Sequence, residues 1–462
     1  MMVTDGAIEA LARPAAATPK AGFTAAMACW ACRVEEGEIP ARARRIAGLA
    51  LLDWYAVAWA GAFEPAPRIL RETFAGTASS PRRAHVIGER GMADIATAAL
   101  LNGAAGHVLD YDDVHNALPG HATAPIAPAL LALAEAEAVP GRDFLTAFIC
   151  GFEIACRMGV FAGPGLFRRG YHGSTMAGAI GAAAACGRLL HFDETRMRRA
   201  FGLAATQASG LQATVGSMAK CFNIGKAAQN GLVAALIVAR GFECTEDVLE
   251  APRGYGAVFA DGGAPDAALS PPPAGWHLYR NLFKHHASCF MTHAPLEALK
   301  ALRAGAKFNV DDIARLVVRI EPNYHRIVLT PPPKSGLEAK FNLPFCMALA
   351  LTGIDTGAMA SFDDDTARRA DLHALAARCI VETVPDMHFE SAEVEVRLRD
   401  GRTLVASYDS GEPESDLVAL EDRVRRKAAS LLDAERASRL ADAFLGLDAQ
   451  PNVAKTIAGL RS

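Results

Sequence analysis

Between residues 25 and 240 apolar and small side chains recur every three or four positions, and Gly, Pro or Asp punctuates the runs. That period is helical, and it predicts helices over 93–108, 124–138, 141–157, 175–190, 194–211 and 225–240. Breaks such as Pro140-Gly141 and His191-Phe192-Asp193 separate them, and no β-rich run is expected in this half. The most apolar stretch, 46–63, carries Asp53 near its middle and glycines near both ends. It reads as a buried helix rather than a membrane span. Residues 1–24 are small, polar and proline-broken, the pattern of a flexible terminus.

The character changes after Gly254. Pro271-Pro272-Pro273 marks an exposed boundary, and strand-like patterns follow. Residues 315–320 are β-branched and flanked by charge. Residues 392–399 alternate Val394, Val396 and Leu398 with Glu393, Glu395 and Arg397, and Asp400-Gly401 then leads into 403–408 as a hairpin. Helices are predicted over 292–304, 344–352 and 417–449. The expectation is a mainly α protein in which a large all-α helical domain, 25–272 and 412–462, holds an inserted α+β lid domain, 273–411.

Charge narrows the function classes. With 47 basic against 51 acidic residues and a net charge of −4, the chain has no nucleic-acid footprint, so attraction for an anion must be local. Ten scattered cysteines and no signal sequence suggest a reducing, cytoplasmic setting. Cys29-Trp30-Ala31-Cys32 has redox spacing but no preceding strand, which favours helix packing. No glycine-rich phosphate loop or nucleophile elbow is present, and no cofactor is expected.

The residues able to do chemistry gather in four segments. His107, Asp110, Asp112, Asp113, His115 and His121 fall within 15 positions between apolar helices, where buried polar groups need partners. A carboxylate beside an imidazole orients it for proton transfer. His172 stands between glycines, and Ser174 or Thr175 could cap the helix that follows. Lys220 is expected in a Gly-flanked loop before a helix and Lys226 inside it, and a lysine so placed can clamp a carboxylate. Lys284-His285-His286 with Cys289 and His293 forms the fourth segment. Adjacent histidines diverge in direction, and zinc-ligand spacing is missing, so no metal is expected there.

In order, LLNGAAGHVLDYDDVH, GHATAPIAPALLALAE, YHGSTMAGAIGAAAACGRLL, SMAKCFNIGKAAQNGLVAALIVARGF, LFKHHASCFMTHAPLEAL and KFNLPFCMALAL make the chain resemble the MmgE/PrpD family over roughly 25–450. The resemblance implies a cleft between a large helical domain and a smaller lid, a homodimer, no metal, and neither membrane nor nucleic acid as partner. The chemistry it implies is that of a lyase or isomerase acting on a small di- or tricarboxylic acid, by dehydration, epimerisation or decarboxylation. Against the decarboxylase branch, Asp110, His121, His172, Lys220 and Lys284 match the catalytic acid, histidines and lysines, with a one-residue insertion before His121. Tyr111, His115, Lys226, His286 and Cys289 accompany them as candidate substrate contacts. Val114, Asn223 and Cys289 depart from that branch, which leaves a non-catalytic carboxylate-binding paralogue as an alternative. A second alternative, a Mg-dependent helical prenyl-transfer enzyme, would use Asp110, Asp112 and Asp113 as one acidic face.

Overall fold

A computed structural model describes residues 22–75, 80–272 and 274–460. Nearly all of the terminus expected to be flexible, and Pro273 of the triple proline, lie outside the described residues.

The longer helices are α1 (Phe23–Arg33), α2 (Ala41–Gly61), α3 (Pro65–Phe74), α4 (Ile95–Ala105), α5 (Thr123–Glu137), α6 (Gly141–Arg168), α7 (Gly173–Leu189), α8 (Glu194–Thr206) and α9 (Met218–Ala239). After them come α10 (His293–Gly305), α11 (Leu343–Leu351), α12 (Leu417–Leu431) and α13 (Ala434–Leu445). Asp94, Asp193, Asp416 and Asp433 cap α4, α8, α12 and α13 by accepting first-turn amide protons. Small residues let the helices approach closely. A Cβ on Gly151 of α6 would sit 2.6 Å from the carbonyl oxygen of Gly181 of α7. Helices α6 and α9 are long and apolar enough to cross a membrane, but α6 is almost wholly buried against its neighbours and α9 a little over half.

The structure departs from the sequence expectation in several places, the first being that α6 runs on to Arg168, past its predicted end at 157. A short antiparallel pair, β1 (Arg83–His85) with β2 (Met92–Asp94), interrupts the helical half. Helix α9 starts well before residue 225, so Lys220 lies in its first turn rather than in a loop. The predicted helix 417–449 breaks into α12 and α13.

A mixed sheet runs in the order β4 (Cys379–Thr383), β3 (Ile313–Ile320), β5 (Ser391–Leu398), β6 (Thr403–Asp409). β3 and β4 are parallel, and the other pairs antiparallel. The β5–β6 hairpin turns where Gly401 takes φ 91°, a conformation glycine adopts without steric cost. Val394, Val396 and Leu398 face inward with Leu316, Val318 and Ile320. On the other face Arg319 bonds Glu382, Glu393 and Glu395.

Two large hydrophobic cores result. One joins α1, α2 and α4–α9 with α12 and α13, so the C-terminal helices return to the first half of the chain. The other joins α10, α11 and the sheet, and takes in Leu109 and Tyr111 from the loop after α4. That loop is therefore wedged between the two cores.

Candidate active site

Asp110, in the wedged loop, has φ 51°, a left-handed conformation that Asp tolerates better than most residues. Three successive carbonyl oxygens hold it there, each accepting from a buried lysine. Lys340 Nζ donates to Leu109 O at 2.7 Å, Lys284 Nζ to Asp110 O at 2.5 Å and Lys427 Nζ to Tyr111 O at 2.5 Å. Lys427 reaches in from α12, also contacts Asp53 Oδ1 of α2 at 2.7 Å, and lies 4.0 Å over the Tyr111 ring. Strained residues persist only when their surroundings over-determine them, and these lysines do so.

The Asp110 side chain meets two cations. Lys220 bonds Oδ1, and Lys284 bonds Oδ2 at 3.0 Å. Burial alone would raise this carboxyl, but the two ammonium groups outweigh it and hold it well below the usual range. Lys284 is brought there by an antiparallel bridge in which Val114 and Leu282 exchange backbone hydrogen bonds of 2.8 and 2.9 Å.

The chain then folds back at His115–Gly120 and sets His121 over the same group. His121 Nε2 is 3.6 Å from Asp110 Oδ1. His107 Nδ1 and His121 Nδ1 each lie 2.9 Å from Asp112 Oδ2, the second as an ion-pair contact poorly aligned for a hydrogen bond. Burial pushes His107 down to about 4, and Asp112 partly opposes that shift. The two rings stand edge to face, 4.5 Å apart.

His172 immediately precedes α7, 6.1 Å from His107 between ring centres, and its N–H donates to Gly210 O at 3.1 Å. Neither Ser174 nor Thr175 caps α7. Ser174 Oγ instead accepts the His121 N–H at 2.9 Å, tying the two motifs together. The contact needs glycine on both sides: a Cβ on Gly120 would strike Ser174 Oγ, and one on Gly173 the Leu118 carbonyl oxygen. Burial, reinforced by Lys220, holds the His172 imidazole well below its ordinary pKa and hence neutral. Its Nδ1 is buried without a hydrogen-bond partner.

Asp110, His121, His172, Lys220, Lys284 and Cys289 line one cavity of about 810 Å³ whose walls come from segments in both halves of the chain. Burial, followed by Asp110, raises the Cys289 thiol to about 11, so it stays protonated. The other residues expected as substrate contacts lie elsewhere. Tyr111 is packed away, its hydroxyl donating to Gly357 O at 3.0 Å. His115 Nε2 donates to His277 O at 2.8 Å, and Lys226 pairs with Gln229 along α9. His286 bonds Thr356 and Glu297 and, with Glu297, lines a separate small cavity. These four do not reach the main cavity because each side chain points into its own packed surroundings.

The carboxylates do not form the shared face that the prenyl-transfer alternative needs. Asp110 meets lysines and Asp112 meets imidazoles, while Asp113 accepts from Thr123 at 2.5 Å and Asn281 at 2.8 Å. By donor type and spacing, His107, Asp112 and His121 could hold a divalent ion, as could His115, Cys156 and His277. In the second group both ring nitrogens of His115 are already engaged, by His277 O and the Ala117 N–H.

Sequence reasoning passed over Lys340, Lys427 and Asp53 as parts of this site. A signal existed. Lys427 falls on the apolar stripe Leu420, Val424, Ala428 of α12, and Asp53 sits in the most apolar run of the chain. A charge at a core position needs a partner.

Family models match most of the chain: the MmgE/PrpD N-terminal domain over residues 25–268 and the MmgE/PrpD C-terminal domain over 286–448. Cis-aconitate decarboxylase of Aspergillus terreus is 28% identical over 93% of this chain and 94% of its own length. Cis-aconitate decarboxylase of Homo sapiens is 30% identical, covering 72% of this chain and 73% of its own length. A cis-aconitate decarboxylase-like protein of Aspergillus oryzae is 28% identical over 96% and 98%. With both domain models satisfied in order and relatives aligned along nearly the full length, the chain belongs to the MmgE/PrpD family.

Proposed function

We propose that the chain is a lyase or isomerase that moves a proton at carbon next to a carboxylate of a small di- or tricarboxylic acid. One observation carries the reading: two ammonium groups and the His121 imidazole surround Asp110, and His172 lines the same cavity. The family and its decarboxylase relatives support chemistry of the dehydratase or decarboxylase type.

In this reading a substrate carboxylate takes up hydrogen bonds from Lys220 and Lys284, which now go to Asp110. Neutral His172, with a free ring nitrogen, removes the α-proton. The electron pair moves into the clamped carboxylate, where fixed cations stabilise the developing charge. His121, steadied by Asp112, returns or delivers a proton. Loss of a β-hydroxyl as water or reprotonation on the opposite face would then define a dehydratase or an epimerase; in a decarboxylase the breaking bond to the departing carboxylate supplies the electron pair in place of the C–H bond, and the carbon takes its proton from His121. Lys284 lies at the junction of the two cores, so closure of residues 273–411 as a lid would complete the clamp. The catalytic unit is taken to be a cytoplasmic homodimer.

Deuterium wash-in from D₂O, followed by NMR over cis-aconitate, 2-methylcitrate, iminodisuccinate and maleate derivatives, tests the reading. His172→Ala and Lys220→Ala should each slow exchange about 10²–10⁴-fold. Unchanged rates in both variants overturn the assignment. Calorimetric binding without exchange or product would favour the non-catalytic paralogue.

A further inference from the structure

We infer that His107 is a positioning residue for His121, fixing through Asp112 which ring nitrogen of His121 faces the substrate. The inference rests on the proton-transfer reading of the main cavity. His107 does not line that cavity but a neighbouring one of about 590 Å³, which shares Asp110 and Lys220 with it. It stands between the two histidines that meet the substrate. Its ring lies edge to face with His121 at 4.5 Å and tilted against His172 at 6.1 Å between centres. Gly106 lets the chain run close to α2 here, since a Cβ on it would strike Trp54 Nε1. The His107 carbonyl oxygen accepts the Asp110 N–H at 3.0 Å. One residue thus ties to both carboxylates, by its backbone to Asp110 and by its ring to Asp112.

Asp112 is the link. Its fully buried carboxylate accepts from His107 Nδ1 at 3.1 Å through Oδ1 and 2.9 Å through Oδ2, and Oδ2 also lies 2.9 Å from His121 Nδ1. Burial alone would raise this carboxyl, but the two imidazoles beside it outweigh that and hold it well below the usual range. Its oxygens therefore only accept. A bare ring nitrogen at 2.9 Å from such an oxygen would set lone pair against lone pair, so Nδ1 of neutral His121 carries the hydrogen. Nε2, 3.6 Å from Asp110 Oδ1, is then the nitrogen left to exchange a proton with the substrate. The His121 contact to Asp112 is poorly aligned, whereas His107 holds the same carboxylate by both oxygens. Without His107 the carboxylate is free to swing, and the His121 ring to turn or change tautomer.

The test turns on one nitrogen. His107 Nε2 is buried without a hydrogen-bond partner, so Nδ1 alone bonds the ring to its surroundings. In His107→Asn the side-chain amide nitrogen takes the place of Nδ1 and still donates to Asp112, whereas in His107→Leu nothing donates. Deuterium wash-in is followed with cis-aconitate, 2-methylcitrate and iminodisuccinate. On an acid that exchanges, His107→Leu should lower kcat about 10²-fold with KM little changed, and His107→Asn should recover most of that loss. Asp112→Asn, whose amide can donate to His121 Nδ1 and invert the tautomer, should lose about 10²–10⁴-fold. A readout that needs no turnover is ¹⁵N NMR of histidine-labelled protein, with His121 assigned by the loss of its signals in His121→Gln. Neutral His121 should carry its hydrogen on Nδ1 in the wild type and in His107→Asn, and shift toward Nε2 in His107→Leu. Wild-type His121 with its hydrogen on Nε2, or His107→Leu matching His107→Asn in tautomer or in rate, overturns the inference. If none of the three acids exchanges, the proton-transfer reading fails, while the NMR comparison still decides how His121 is set.

Discussion

Replacing Lys427 by Met tests how the Asp110 loop is held. Lys427 is 6% exposed and Asp53 1%, so the substitution leaves a buried carboxylate without its contacting cation and Tyr111 O without its donor. Breaking a buried pair from one side typically costs about 3–5 kcal/mol, whereas replacing both partners with apolar groups is often near neutral. Lys427→Met should therefore destabilise by that amount, and Lys427→Met with Asp53→Leu should recover most of it. The deficit should also depend on pH. Burial raises the Asp53 carboxyl from 3.8 to about 6 even with Lys427 opposing. A folded pKa above the unfolded one contributes stability at low pH that is lost as pH rises through about 6. Without Lys427 the folded value climbs further, so the gap between variant and wild type should be small near pH 5 and widen toward pH 8. Urea unfolding of the three proteins across that range is the assay. A double variant as unstable as the single one, or a deficit that shrinks with rising pH, would refute the reasoning.

Gly173→Ala places a methyl group against the Leu118 carbonyl oxygen and should displace His172, lowering exchange activity at least tenfold; fold is checked by circular dichroism and turnover by D₂O exchange. Burial lowers Lys340 to about 8, below its unfolded value of 10.5, so its charged form burdens the fold at neutral pH and the burden lifts as pH rises from 8 toward 10.5. Relative to Lys340→Met, the wild type should gain on the order of 1–3 kcal/mol in urea stability between pH 7.5 and 9.5, and no relative gain would count against a charged Lys340.

Most of the architecture was legible in the pattern of side chains. The helical period located α4, α5 and α7 within three residues and the starts of α6 and α8. Helix α6 runs eleven residues past its predicted end and α8 stops five short, and alternation located β5 and β6. The β1–β2 pair escaped because three-residue strands carry too short a period to register. The early start of α9 escaped although Ser217 stands at its N-cap, where its hydroxyl donates to Thr214 O instead of capping the helix. Of the site, the residues that converge were those whose segments also carry glycine for close approach, around His121 and His172. Tyr111 and His115 occupy the same dense cluster, yet a loop without regular repeat does not disclose which way each side chain turns. The lysine contacts to carbonyls 109–111 were invisible for another reason: they join residues 174 to 316 positions apart.

Lys427 falls within the last tenth of the 462 residues, yet it anchors a loop whose own residues are numbered near 110. A nascent chain that has emerged only as far as the sheet already contains every proposed acid, base and clamp, but not the strut that keeps Asp110 in its left-handed turn. Competence should thus arise late in synthesis, when α12 docks. Proteolytic loss of that helix would silence the enzyme without touching a single group that meets the substrate.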